Sequence, residues 1–156
     1  MFNHTHTHTH THTHTHTHTH IYRSLYILAD LGGKSLESIP SSPTDSLVLS
    51  PGQVLTLSCK LSGYSVTDSS YWTHWIRQPA GKALEWVGDI GSSGDTYYSD
   101  KLKSRFQIGR DISSNTVTLR GQNMQTEDTS VYYCARERAH KNKNKYTDIY
   151  KTMLKK

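Results

Sequence analysis

Leu55, Leu57, Cys59 and Leu61 alternate with Thr56, Ser58 and Lys60, a period of two that suits a strand with one buried face. Similar short segments recur at residues 73–78, 84–90, 105–110, 115–121 and 129–135. Turn signals stand between them: Ser50-Pro51-Gly52, Pro79-Ala80-Gly81 and Ser92-Ser93-Gly94-Asp95. No helical periodicity of any length interrupts the series. Short strands at this spacing predict an all-β fold, an antiparallel sandwich or barrel, built from residues 34–136.

The flanks differ in texture. With 156 residues of which 33% are apolar, the chain holds material for one core plus segments outside it. Residues 4–20 are a strict His-Thr alternation without an apolar side chain, so the tract is expected to be disordered. Imidazoles at every second position of an extended chain could share a zinc, nickel or copper ion. A CA dinucleotide repeat read in frame also encodes His-Thr without end, and translated repetitive DNA is the reading favoured over a selected metal site. Residues 21–33 carry a short apolar stretch and are expected to be a linker or the remnant of a secretory leader. Residues 137–156 form a basic polar tail holding Lys141, Lys143, Lys145, Lys151, Lys155 and Lys156, which supply much of the net charge of +5. Such a charge run is ordinarily a solvated face, and no nucleic-acid partner is expected from it. The opening MFNHTHTH has no basic region followed by an apolar run, and no stretch reaches the roughly 20 apolar residues of a membrane span.

Cys59 and Cys134 are the two cysteines, far apart in sequence. They could be a disulfide, two buried thiols or half of a metal site; with no CxxC and no His beside either, a disulfide is favoured, and with it an oxidising compartment. Trp75 follows Cys59 by sixteen residues, and Tyr132 lies two before Cys134 within Glu127-Asp128-Thr129-Ser130-Val131-Tyr132-Tyr133-Cys134. This Cys, Trp, Tyr, Cys pattern resembles an immunoglobulin sandwich. There the tryptophan packs on the disulfide joining two sheets, and the tyrosine hydroxyl bonds to upstream backbone.

The stretch Trp75-Ile76-Arg77-Gln78-Pro79-Ala80-Gly81-Lys82-Ala83-Leu84-Glu85-Trp86-Val87-Gly88 is similar to the second framework of immunoglobulin heavy-chain variable domains. Arg105-Phe106-Gln107-Ile108-Gly109-Arg110-Asp111 and Tyr132-Tyr133-Cys134-Ala135-Arg136 fit the same family, and residues 36–42 would be its first framework, with a bony-fish character. The resemblance covers about two thirds of the chain. It implies a V-set fold, an extracellular or cell-surface location, and antigen recognition in adaptive immunity. Arg105 and Asp128 would form an ion pair across the base of the sandwich. Ile76, Gln78, Leu84, Trp86 and Tyr133 would face outward from one sheet as an exposed patch for a light-chain variable domain, with Trp75 and Arg77 on the opposite face of the same strand. Antigen contacts would come from a first loop holding Asp68, Ser69, Ser70, Tyr71, Trp72 and His74. A second loop would add Asp89, Ser92, Ser93, Asp95 and Tyr97. Both have the Tyr, Ser and Gly enrichment of antibody contact loops.

One element of the family pattern is missing. After Ala135-Arg136 no Trp-Gly-x-Gly motif follows, so the final strand, strand G, is expected to be absent or degenerate and the edge of the strand ending at residue 135 uncovered. An unrearranged variable segment translated past its end would account for this. The nearest rivals are a T-cell-receptor or other V-set receptor chain, and a non-functional translated segment whose His-Thr tract binds metal incidentally. Nothing resembles a nucleophile elbow or zinc-protease helix, so neither an enzyme nor a cofactor is expected.

Overall fold

A computed structural model describes residues 20–30 and 45–139. Among the described residues, nine strands run in the order β1 (His20–Asp30), β2 (Asp45–Leu49), β3 (Leu55–Lys60), β4 (Tyr71–Pro79), β5 (Glu85–Ile90), β6 (Thr96–Tyr98), β7 (Phe106–Asp111), β8 (Thr116–Gly121) and β9 (Ser130–Arg138). A 3-10 turn, Thr126–Asp128, precedes β9. The strands form two sheets, β2-β1-β9-β4-β5-β6 and β3-β8-β7, so the fold is the all-β sandwich expected. The Cys59–Cys134 disulfide ties β3 of the small sheet to β9 of the large one.

The two layers explain two different burial patterns. β3 alternates strictly, its Leu55, Leu57 and Cys59 entering the core while Thr56, Ser58 and Lys60 stay in water. Trp75, Val87, Phe106, Val117, Leu119, Met124 and Tyr132 complete that core. Burying each large side chain contributes about 1.5–3 kcal/mol. The middle of β4, residues 73–77, is buried on both faces. One face meets the small sheet through Trp75, and the other carries a second, smaller cluster of Ile76, Trp86 and Ala135. A bulge brings this about: Trp75 pairs with Gly88 but Ile76 pairs with Trp86, so Val87 is the extra residue and the indole comes beside Ile76.

The linker expected over residues 21–33 is strand through Asp30, and the edge expected to lie open is covered. β1 sits between β2 and β9, antiparallel to β2 from His20↔Leu49 to Ser24↔Asp45. It is parallel to β9 from Arg23↔Val131 to Asp30↔Arg136, with a register break between Leu25 and Ala29. It occupies the side of β9 assigned above to the missing strand. The cause is physical: β9 presents unpaired N–H and C=O groups along that side, and Ile21, Tyr22, Tyr26 and Ile27 are residue types suited to a pleated surface. A short alternation-free run beside a repetitive tract gave no signal of this. The His-Thr tract, apart from His20 at the start of β1, and the lysine-rich tail from residue 140 lie outside the described residues.

Proline at two positions of β1 tests its role, since proline removes a ladder donor and is excluded from interior strands. The chain carrying Leu25→Pro and Ile27→Pro is expected to self-associate at concentrations where the unaltered chain does not, read by light scattering on a sizing column. Identical elution and melting of the two chains would show that β9 does not depend on β1.

Candidate functional site

At one end of the sandwich the loop before β4 and the loop between β5 and β6 come together through aromatic rings. Trp72 packs against Tyr97 with ring centroids 5.9 Å apart. It lies so close to Gly91 that a Cβ there would meet the indole at 2.7 Å and push the ring aside. Tyr64 and Tyr71 pack at 5.0 Å, and the Arg136 guanidinium stands over both rings at 5.2 and 4.8 Å. Burial raises the Tyr64 hydroxyl above the usual phenol range, against the lowering effect of its bond with Thr73 and of Arg136. The loops are also held internally, by Ser70 N–H donating to Asp68 and the Ser93 hydroxyl donating to Asp95. Arg110 fastens the second loop from below by donating to the Ser92 carbonyl.

The expected contact residues divide into two depths. Ser69, Ser70, Ser93, Asp95 and Tyr97 are exposed, and Asp68, Tyr71, Trp72 and Ser92 are half-buried. His74 and Asp89 are not surface residues at all: they are 1% and 0% exposed and form the floor beneath the loops. His74 Nε2 lies 3.0 Å from Glu137 Oε2, its Nδ1 accepts from the Trp86 indole N–H at 3.3 Å, and Asp89 Oδ2 stands 3.5 Å from the same Nδ1. In sequence both residues stand at the ends of the loops, yet they are floor residues because β4 and β5 have two covered faces.

At the opposite end, Arg105 clamps Asp128 with two bonds of 2.6 and 2.9 Å. Arg77 adds a third at 2.8 Å and also donates to Glu85 at 2.8 Å. Burial disfavours the Asp128 charge, yet Arg105, the Gln125 N–H and Arg77 hold its carboxyl down at about 2. Burial likewise opposes the Arg77 charge, but Asp128 and Glu85 raise it further above the ordinary guanidinium range. The Tyr132 hydroxyl donates to the Asp128 carbonyl at 2.9 Å, the upstream backbone bond expected of it. A profile of the immunoglobulin V-set domain matches residues 42–152.

The chain belongs to the immunoglobulin V-set domain family. V-set domains are recognition domains, usually extracellular or on the cell surface, and typically pair with other immunoglobulin domains. The match runs past residue 136, where the framework resemblance ends, and β9 itself continues to Arg138.

The outward face of β4, β5 and β9 in this V-set domain has the expected parity but not the expected exposure. Ile76 and Trp86 are only 3% and 7% exposed, because the bulge packs the indole on Ile76 and Ala135. Leu84, Gln78 and Tyr133 are half-buried, with the Tyr133 hydroxyl donating to Gln78 at 3.3 Å. The surface offered is therefore an aromatic and amide strip over a buried apolar pair. Arg77, Arg136 and Glu137 also make contacts at these two ends. Arg77 falls on the core face by simple alternation, and a charge there needs a carboxylate. Arg136 and Glu137 gave no such signal, since they belong to the site only through the pairing of β9 with β4.

Proposed function

We propose that the chain is an immunoglobulin heavy-chain variable domain that recognises antigen with the loop end and pairs with a light-chain variable domain through the face carrying Gln78, Leu84, Trp86 and Tyr133. The observation that carries this reading is the joined aromatic shelf of Trp72 and Tyr97, seated on Gly91. It offers rigid, amphipathic contact area flanked by Ser69, Ser70, Ser92, Ser93, Asp68 and Asp95. The Leu84-Glu85-Trp86 stretch favours the heavy chain over other V-set receptors, and the bulge that brings Trp86 beside Ile76 supports including it in that face.

Mixing the chain with light-chain variable domains and, separately, with T-cell-receptor variable domains tests the assignment. Heterodimers with the first alone are the expected result; heterodimers with the second alone would make it a receptor chain of the other kind. Trp86→Ala is expected to weaken pairing by about 2 kcal/mol or more, as buried aromatic anchors do. Its thermal melt should be recorded alongside, because the indole is already largely covered in the single chain. Unchanged pairing together with a lost cooperative melt would make Trp86 a core residue only.

A further inference from the structure

We propose that His74 is a proton-gated positioning residue for Trp86, setting the pairing face through the protonation of one ring nitrogen. The hydrogen-bond inventory fixes the starting state. An indole N–H can only donate, so Nδ1 of His74, 3.3 Å from Trp86 Nε1, is an acceptor and carries no proton. Nε2 then holds the proton and donates to Glu137 at 3.0 Å. The neutral ring is one defined tautomer, bridging the end of β9 to the pairing face.

A second proton has one place to go, Nδ1, and there it confronts the indole N–H donor to donor. Its alternative acceptor is already in position: Asp89 Oδ2 at 3.5 Å. Protonation therefore exchanges Trp86 for Asp89 at Nδ1 while the bond to Glu137 is kept. The charged groups that β5 and β9 place against the ring are Asp89 and Glu137. Arg136, the neighbouring cation on β9, is turned away over Tyr64 and Tyr71. Because the Trp86 ring packs on Ile76 and Ala135, losing its acceptor shifts a residue at the centre of the face.

The structural half of this proposal stands apart from the pairing function; its consequence for affinity rests on that reading. The experiment follows the Trp86 indole N–H resonance of the full chain by NMR from about pH 7.5 to about pH 5.5, the span in which imidazoles serve as switches. It is run beside His74→Gln and Asp89→Asn. The expected result is a single-proton transition in the unaltered chain, absent in His74→Gln and moved to lower pH in Asp89→Asn. Pairing with a light-chain variable domain should weaken roughly three- to tenfold over the same span, as loss of one hydrogen bond implies, and stay level in His74→Gln. An indole resonance that does not move, or moves equally in His74→Gln, overturns the gate. If His74→Gln does not fold, the Asp89→Asn comparison decides, and an identical transition there overturns it. A moving resonance without pairing to any light chain would uphold the gate and refute the pairing reading.

Discussion

Asp128→Ala is expected to cost about 3–5 kcal/mol, the loss seen when one member of a buried ion cluster is removed. Arg77, 5% exposed at its side chain, would keep its Glu85 bond but lose the carboxylate that meets its NH1, and Arg105 would lose both of its bonds. The Gln125 N–H would also lose its acceptor. Urea denaturation measures this directly. Asp128→Asn keeps the shape and two of the acceptor directions while removing the charge, so it should fall between the alanine variant and the unaltered chain. The same cluster sets an acid limit. The carboxyl is held at about 2 when folded, below its ordinary value of about 3.9. Its contribution, about 2 kcal/mol, is fully present above pH about 4 and is lost as pH falls through about 2. Stability of the unaltered chain should therefore drop across that window relative to Asp128→Asn. Parallel curves would mean the carboxylate charge contributes nothing.

The second large effect is expected from Cys59→Ala combined with Cys134→Ala. The bridge closes a loop with a sequence separation of 75, and in the chain-entropy model such a closure stabilises by about 4 kcal/mol. A single small domain is ordinarily stable by about 5–15 kcal/mol, so the double variant should melt far lower or lose its cooperative transition at body temperature. Non-reducing mass spectrometry of the folded, unaltered chain should show the two thiols joined. A folded, cooperative sample with both thiols free would contradict the stabilising role as well as the bond.

The sandwich was legible wherever a strand has one wet face. Leu55, Leu57 and Cys59 announce β3 because their neighbours are polar, and Cys59, Trp75, Tyr132 and Cys134 place the two sheets on each other. Legibility failed where both faces are covered. In β4 the whole run from Thr73 to Arg77 is buried, so His74, expected among the loop contacts, is part of the floor, and Ile76, expected to be exposed, lies under Trp86 through the Val87 bulge. The loops themselves were visible as composition, but their joining depends on one close approach, Trp72 on Gly91, that no spacing rule announces. The Arg105–Asp128 clamp was expected, while the Arg77 bond to the same carboxylate required knowing that β4 passes over the turn before β9.

The direction of β1 decides which end of the molecule its upstream residues leave from. Arg23 lies beside Val131, near the Asp128 clamp, and Asp30 lies beside Arg136 under the loops, so the strand travels from base to loop end. His20, opposite Leu49, is therefore anchored at the base. The start of the strand thus lies at the pole away from Trp72 and Tyr97. A surface that grips the start of β1 would therefore leave Trp72 and Tyr97 toward the solution, oriented by the polarity of a single strand.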